Sequence, residues 1–117
     1  MLFLKLEEGT FENDFLDENY SIEIWLNDKE IGSIIGFATE EDIYIEHITL
    51  DKEFQRKGYG TLAINQLKEI AKSLNVPYLH GECRTNLIQF YEKLGADFKH
   101  RTEEDKTYIN HRFYIDL

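Results

Sequence analysis

A strand pattern, a turn that contains glycine and a helix pattern follow one another in the middle of this chain. The strand pattern is the apolar run at residues 43–50, and the helix pattern covers residues 63–74 with apolar residues three and four positions apart. A second strand pattern, at residues 78–83, comes directly after them. Because a strand, a helix and a second strand of one sheet connect by a right-handed crossover, the two strands are predicted to be parallel. This unit makes the chain an α/β protein.

Alternating apolar and polar residues predict further strands on both sides of this unit. These strands cover residues 2–7, 20–26 and 31–39, and a final hairpin pairs residues 97–101 with 107–115 around the loop 102–106. A turn over residues 27–30 joins two of them, and the spacing of Phe11 and Phe15 predicts a small helix. A second helix is predicted over residues 87–94, closed by Gly95. The first four strands are therefore expected to form a largely antiparallel meander.

Length and composition indicate a single domain over residues 1–117. Of the 117 residues 42% are hydrophobic and 14% aromatic, which is enough to fill one core. No apolar run approaches the roughly 20 residues of a membrane helix, and the apolar start at residues 1–4 is too short for a signal peptide. Cys83 is the only cysteine, so an internal disulfide is excluded. We expect a cytoplasmic protein without a membrane span.

The chain is acidic, and its charge is unevenly distributed. The formal net charge of −10 disfavours binding to the phosphate backbone of nucleic acids. Residues 1–54 carry 15 acids and 3 bases, whereas residues 55–117 carry 8 acids and 10 bases. Two interpretations stay open. The acidic half either only keeps the protein soluble, or it binds a cationic partner beside a half that tolerates an anion.

The turn at residues 55–60 has the features of a phosphate site. Gly58 and Gly60 let the backbone fold so that several N–H groups point to one spot. The helix that follows adds its unpaired N-terminal donors and about half a positive charge. Arg56 and Lys57 supply further positive charge. A phosphate group is therefore expected to bind at this turn.

Three phosphate-binding motifs compete for the turn. The P-loop requires Gly-Lys-Ser/Thr after a longer loop, and the chain has no such run. Residues 58–63 match the dinucleotide fingerprint Gly-x-Gly-x-x-Ala, with Glu82 about 20 residues further on. However, a polar stretch separates this match from the strand, and a meander is not the wide parallel sheet that the fingerprint needs. The third motif is Gln/Arg-x-x-Gly-x-Gly/Ala, which Gln55, Gly58 and Gly60 match.

This third motif resembles the acyl-CoA-binding loop of the GNAT superfamily of N-acyltransferases. The residues before it, Leu-Asp-Lys-Glu-Phe at 50–54, look like the family's strand end and lead-in. Residues 86–96, Asn-Leu-Ile-Gln-Phe-Tyr-Glu-Lys-Leu-Gly-Ala, are similar to its second signature, an apolar-Tyr-Glu-Lys-Leu-Gly-Phe run on a helix. The two motifs fall in the family's order, and the resemblance extends over residues 20–100.

The chain departs from the family pattern at several places. Ala96 and Lys52 stand where the family usually has Phe and Pro, and Asn86 lies closer to Tyr91 than is usual. Residues 8–19 are too few for the two helices that wall the acceptor site in the family. The acceptor site is therefore expected to be either unusually open or closed by the second subunit of a homodimer.

The resemblance implies a GNAT-like fold, which is a mixed, mostly antiparallel sheet with a central β-α-β acyl-CoA-binding unit. It also implies a splay between the strands at about residues 43–50 and 78–83. Acetyl-CoA would be the co-substrate, with its pyrophosphate on the glycine turn and its pantetheine arm paired to a strand as a pseudo-strand. The implied cofactor-binding residues are Ile48, Thr49, Leu50, Gln55, Arg56, Lys57, Gly58, Tyr59, Gly60, Thr61 and Asn86.

The implied reaction is direct attack of a primary amine on the thioester, which requires two proton transfers. Tyr91 stands where the family's general acid usually does and would protonate the departing thiolate, although its apolar neighbours also suit a plain core residue. Glu46, an acid inside a strong strand, is the first candidate for the base, ahead of Glu82 and His47. An acyl-cysteine route through Cys83 is a further alternative.

Two classes of function follow from the resemblance. One is an N-acyltransferase, in particular an acetyltransferase, acting on a small-molecule or protein amine that is cationic if the acidic half binds it. The other is a non-catalytic acyl-CoA-binding or interaction module that keeps the loop. A metal is not expected, because His47, His80, His100 and His111 are dispersed without ligand-type spacing.

Overall fold

The fold is built around one sheet, described by a computed structural model for residues 1–6, 18–39, 41–98 and 110–117. Within these ranges the strands are β1 (Leu2–Leu6), β2 (Glu18–Leu26), β3 (Lys29–Ala38), β4 (Ile43–Leu50), β5 (Tyr78–Arg84), β6 (Ala96–Asp97) and β7 (Asn110–Asp116). The α-helices are α1 (Tyr59–Ser73) and α2 (Ile88–Lys93), and short 3-10 turns cover Lys52–Phe54 and Thr85–Leu87.

The strands are arranged in the order β1-β2-β3-β4-β5-β7-β6. Neighbours from β1 to β4 are antiparallel, β4 and β5 are parallel, and β7 is antiparallel to both β5 and β6. The predicted meander, the parallel pair and the mixed, mostly antiparallel sheet are confirmed. The placement of β7 between β5 and β6 goes beyond the prediction.

The hydrophobic core lies between α1 and one face of the sheet, which we call the helix face. Successive strand residues point to opposite sides of a sheet, so alternate residues reach this face. Its fully buried strand residues include Ile22, Ile24, Ile34, Ile43, Ile45 and Leu79. The helix contributes Ala63, Ile64, Leu67 and Ala71. Each fully buried Leu or Ile contributes roughly 1.5–3 kcal/mol. The Nζ of Lys68 donates to the carbonyl of Leu94 at 3.0 Å, which holds the end of α2 beside α1.

The strands β4 and β5 separate after a short paired stretch. They pair at three positions only, the last of which joins Ile45 to Gly81. The register between β3 and β4 also shifts directly after Ile45, since Gly36 pairs with Ile45 and Ile35 pairs with His47. Glu46 is therefore the extra residue of a β-bulge, which bends the strand and increases its twist. The predicted splay is confirmed, and it begins at this bulge.

The turn between β2 and β3 is shorter than predicted. Leu26 pairs with Lys29, so the turn contains only Asn27 and Asp28, and the four-residue turn over 27–30 is wrong. Asn27 adopts a φ of +56°, a left-handed conformation that asparagine tolerates better than most residues. The tight turn lengthens β3 at its start.

Several predicted segments lie outside the described residues. These are the small helix around Phe11 and Phe15, the loop 102–106, and most of the strand at 97–101, of which β6 retains Asp97. Across the described ranges, neither helix combines the length and the apolar composition that a bilayer span requires.

Candidate active site

The loop between β4 and α1 presents backbone donors at the start of the helix. Gly58 caps α1 with a φ of +86°, a conformation that glycine adopts at little cost, and Arg56 also has a positive φ of 61°. The Nε2 of Gln55 donates to the carbonyl of Leu50 at 2.9 Å, which ties the loop to the end of β4. The first turn of α1 contains no acidic side chain, so the positive end of the helix is not neutralised.

A cavity of about 480 Å³, here called the loop cavity, opens between this loop, β4 and α2. Its lining residues are Ile48, Leu50, Gln55, Arg56, Gly58, Gly60, Thr61, Asn86, Leu87 and Phe90. Eight of the eleven predicted cofactor-binding residues are among them. The structure therefore brings the glycine turn, the end of β4 and Asn86 to one cavity, although they are far apart in sequence.

Three predicted cofactor-binding residues do not line the loop cavity. The side chain of Thr49 is exposed on β4, and Lys57 is exposed in the loop. The ring of Tyr59 packs against that of Phe54, with centroids 6.2 Å apart. Backbone contacts of Thr49 with a ligand in the splay remain a prediction.

Two lining residues, Leu87 and Phe90, were not predicted. Their only sequence signal is their place in an apolar helix pattern, which is equally typical of core residues. A Cβ at Gly60 would lie 3.2 Å from Cε1 of Phe90. The missing side chain at Gly60 therefore keeps open the space between the first turn of α1 and Phe90.

A second cavity, of about 270 Å³ and here called the cleft cavity, lies in the splay between β4 and β5. Its lining residues are Tyr44, Glu46, His47, Ile48, Glu82, Cys83, Arg84, Leu87 and Tyr91. All three predicted catalytic residues are among them, together with the alternatives His47 and Cys83. Ile48 and Leu87 line both cavities, so the cleft cavity adjoins the loop cavity.

The two carboxylates of the cleft cavity have different surroundings. The Oε1 of Glu82 lies 3.8 Å from Nη2 of Arg112, its directly opposite partner on β7. Glu46 is exposed at the bulge, and among the described residues it forms no ion pair. Within the described ranges, Glu46 is thus the carboxylate of the two that has no cationic partner. Arg84, which was not predicted, adds a positive charge to the same cavity.

Tyr91 is buried beneath the cleft cavity and remains protonated at neutral pH. Its residual exposure is 3%, and its ring stacks on that of Phe113 with centroids 4.1 Å apart. Burial raises the pKa of Tyr91 well above its ordinary value, and the neighbouring thiol of Cys83 raises it further. Tyr91 is therefore buried as a core residue would be and also lines the cleft cavity, while its role as the general acid stays a prediction.

A second tyrosine, Tyr20, lies close to these groups and was not predicted as a site residue. Its hydroxyl donates to the carbonyl of Tyr44 at 2.8 Å. Burial raises the pKa of Tyr20 well above its ordinary value, and the charges of Tyr91 and Glu46 add to the effect. Nothing in the local pattern of β2 distinguishes Tyr20 from an ordinary strand residue.

The described residues contain no group of three or more His, Cys, Asp or Glu side chains that could hold a metal ion. The polar side chains that line the two cavities are amides, carboxylates, phenols, two guanidinium groups, an imidazole, a thiol and a hydroxyl.

Comparison with known proteins connects this geometry to one family. The family model for the acetyltransferase (GNAT) family matches residues 2–96. The chain is also 40% identical over 57 residues to an uncharacterized N-acetyltransferase, CgeE, of Bacillus subtilis strain 168. That match covers 47% of this chain and 22% of the relative, so the chain spans less than a quarter of the relative's length.

Solved structures share the fold over almost the whole chain. A GNAT family acetyltransferase from Elizabethkingia anophelis, crystallised with acetyl-CoA bound, is 13% identical, with a TM-score of 0.76, and covers 99% of this chain and 98% of its own. An acetyltransferase from Bacillus subtilis in complex with CoA is 20% identical, with a TM-score of 0.70, and covers 100% of this chain and 99% of its own. These likenesses show a common fold.

Proposed function

The chain belongs to the acetyltransferase (GNAT) family, and from that membership we propose that it transfers an acetyl group from acetyl-CoA to a primary amine. The observation that carries the proposal is the junction of the two cavities. The loop cavity suits an anionic, elongated donor, the cleft cavity holds carboxylates and a phenol, and both share Ile48 and Leu87. A donor in one cavity could therefore deliver its acetyl group to an acceptor in the other.

The donor would bind through its pyrophosphate at the loop. The N-terminal N–H groups of α1 and the guanidinium of Arg56 offer hydrogen bonds and positive charge to an anion. Two structures with the same fold contain acetyl-CoA or CoA, which supports acetyl-CoA as the donor here.

The pantetheine arm would lie in the splay beside the second half of β4. Beyond Ile45, β4 is no longer paired with β5. Its backbone groups on that side, over residues 48–50, can pair with the amides of an extended ligand as a neighbouring strand would. The carbonyl of Leu50 already accepts a bond from Gln55, so the pairing would involve mainly Ile48 and Thr49.

The acceptor amine would enter the cleft cavity and lose its proton to Glu46. An alkyl ammonium has a pKa near 10.4 and must be deprotonated before it can attack. Glu46 is placed to take the proton directly or through water. Glu82, which forms an ion pair with Arg112, is the second candidate for the base. Glu46, the carboxylate of the cleft cavity that does not lie beside Arg112, favours a cationic acceptor, in agreement with the acidic charge of residues 1–54.

The chemical step would be a direct transfer. The neutral amine nitrogen forms a bond to the thioester carbonyl carbon, and the resulting tetrahedral oxyanion is stabilised by a backbone N–H of β4. The attack leaves a positive charge on the nitrogen, which loses its second proton to solvent through Glu46. When the carbon–sulfur bond breaks, the thiolate leaves with the bonding electrons and takes the proton of the Tyr91 hydroxyl. Tyr91 holds that proton throughout the neutral range, and because burial raises its pKa, the proton moves only when negative charge develops on the sulfur. Solvent then restores the proton to Tyr91.

The test is release of CoA from acetyl-CoA, measured with a thiol reagent across polyamines, aminoglycosides, amino acids and lysine peptides. We expect amine-dependent release, with an acetylated product identified by its mass, and preference for cationic acceptors. Tight acetyl-CoA binding without release for any amine would instead identify a non-catalytic acyl-CoA-binding module.

A further inference from the structure

We propose that Tyr20 is a positioning residue, whose hydroxyl holds the β4 bulge in the shape that presents Glu46 to the cleft cavity. The proposal rests on the proposed function, in which Glu46 is the base. It assigns a role to a side chain on β2, two strands away from the cavity.

The first observation is the place of the bulge. Gly36 of β3 pairs with Ile45 and Ile35 pairs with His47, so Glu46 has no partner on β3. The parallel pairing with β5 ends at Ile45 as well. Glu46 is thus the first residue of β4 beyond its pairing with β5. The direction of the Glu46 side chain therefore depends on the backbone conformation of the bulge.

The second observation is the carbonyl of Tyr44, two residues before Glu46. A Cβ built on Gly36 would lie only 1.9 Å from this oxygen, so the oxygen projects over Gly36 on the helix face instead of lying in the plane of the sheet. A carbonyl turned into a buried region needs a donor, since an unpaired buried carbonyl is destabilising. The hydroxyl of Tyr20 is that donor, at 2.8 Å.

The third observation is the fit between Tyr20 and Gly36. The two residues are directly opposite each other on β2 and β3. A Cβ at Gly36 would lie 2.6 Å from the Tyr20 hydroxyl oxygen and 2.8 Å from its Cζ. The tyrosine ring therefore crosses β3 above the glycine, and any side chain at residue 36 would block both the ring and the turned carbonyl. Gly36 and Tyr20 act together at the bulge.

The surroundings of Tyr20 agree with a role at the site. Its residual exposure is 7%, and the groups that raise its pKa after burial are Tyr91 and Glu46. The phenol thus lies within electrostatic reach of the two groups that would exchange protons with the reactants. Because it stays neutral, its hydroxyl proton remains committed to the Tyr44 carbonyl.

The experiment is a double-mutant cycle of Tyr20→Phe and Glu46→Gln, with Tyr78→Phe as the matched control. Tyr78 also donates a hydroxyl hydrogen bond, to Asp42 at 3.3 Å, but it does not line either cavity. We expect Tyr20→Phe to lower turnover by roughly 10- to 100-fold, the scale of a small misplacement of a catalytic group. Acetyl-CoA affinity should stay within a few-fold, and Tyr78→Phe should keep parental turnover.

The cycle separates positioning from plain stabilisation. If Tyr20 acts through Glu46, Tyr20→Phe should change turnover by less than about 2-fold in the Glu46→Gln background, because the two effects are coupled. An equal loss in both backgrounds, or no loss in the parent, would overturn the proposal. Full activity of Glu46→Gln would overturn it too, since there would be no base to position.

A second measurement does not depend on turnover. Amide hydrogen exchange at residues 45–47 should be faster in Tyr20→Phe and unchanged in Tyr78→Phe, at matched melting temperature. If no amine is acetylated, the proposed function fails. Faster exchange would even then support the conclusion that the Tyr20 hydroxyl stabilises the bulge. Unchanged exchange at residues 45–47 would show that the Tyr20 hydroxyl does not stabilise the bulge, and it would overturn the proposal.

Discussion

The ring of Tyr91 lies on the ring of Phe113, with centroids 4.1 Å apart and 23° between the ring planes. This stack joins α2 to β7 and fixes the phenol of Tyr91 at the cleft cavity. Phe90 meets Tyr91 edge to face at 4.9 Å. Aromatic pairs of this kind contribute about 0.5–1.5 kcal/mol each beyond the area they bury. Both contacts are made by the ring and not by the hydroxyl.

Tyr91→Phe should therefore separate catalysis from stability. The substitution keeps the ring contacts and removes only the oxygen, so the melting temperature should change little. Turnover should fall by about 10²-fold or more, which is the usual contribution of a positioned acid. Acetyl-CoA affinity should stay within a few-fold, because a thioester sulfur accepts hydrogen bonds weakly. Steady-state kinetics, calorimetry and thermal unfolding of this variant provide the three values. Parental activity across pH 6 to 9 would remove Tyr91 from the mechanism.

The two buried tyrosines should make the fold sensitive to alkaline pH. Burial raises the pKa of Tyr20 and of Tyr91 above the value near 10 of an unfolded chain. Their contribution to the free energy of unfolding is fully present below pH 10. It is lost above that pH, because the unfolded state then releases protons that the folded state retains. Each group can contribute up to about 1.4 kcal/mol per pH unit.

Urea unfolding at pH 9, 10 and 11 measures this effect. The double variant Tyr20→Phe/Tyr91→Phe should lose less unfolding free energy between pH 10 and 11 than the parent. The two partly buried tyrosines Tyr44 and Tyr78 are present in both proteins, so their contribution cancels in the comparison. Parallel curves for the parent and the double variant would contradict the burial of these phenols.

Gly60→Val should weaken acetyl-CoA binding strongly. The added Cβ would lie 3.2 Å from Phe90, and its two methyl groups would enter the loop cavity. Asn65→Val is the matched control, since it places the same side chain on an exposed position of the same helix. Calorimetry should show at least a 10-fold loss of affinity for Gly60→Val and little change for the control. Equal affinity in both variants would remove this loop from the donor site.

Glu46 and the acidic charge of residues 1–54 should make the protein prefer a cationic acceptor in a salt-dependent manner. Steering by charge weakens as the Debye length falls to about 8 Å at physiological ionic strength. The KM for a cationic amine should rise with salt, and Glu46→Gln combined with Glu82→Gln should reduce that dependence. An acceptor panel in which neutral or anionic amines outperform every cationic one would mean that the acidic charge serves only solubility.

The order of the elements could be predicted from the sequence because it depends on local periodicity. The apolar run of β4, the pattern of α1 and the glycine turn between them each depend on neighbouring residues. The same holds for the parallel pair, since the crossover rule leaves one arrangement. The turn at Asn27 shows the limit of this reasoning, because the left-handed conformation of one asparagine removed two residues from the predicted turn.

The geometry of the candidate site could not be predicted in this way. It depends on the register between neighbouring strands, and the pattern of a single strand does not specify that register. Local sequence patterns were enough to place Glu46 in a strand, Tyr91 in a helix and Gly58 and Gly60 in a turn. Three features became visible only in the folded chain: Glu46 is the bulged residue, Arg112 pairs with Glu82, and the Tyr20 hydroxyl reaches the Tyr44 carbonyl. A bulge arises when two strands differ by one residue in their pairing, so its position is a property of the assembled sheet.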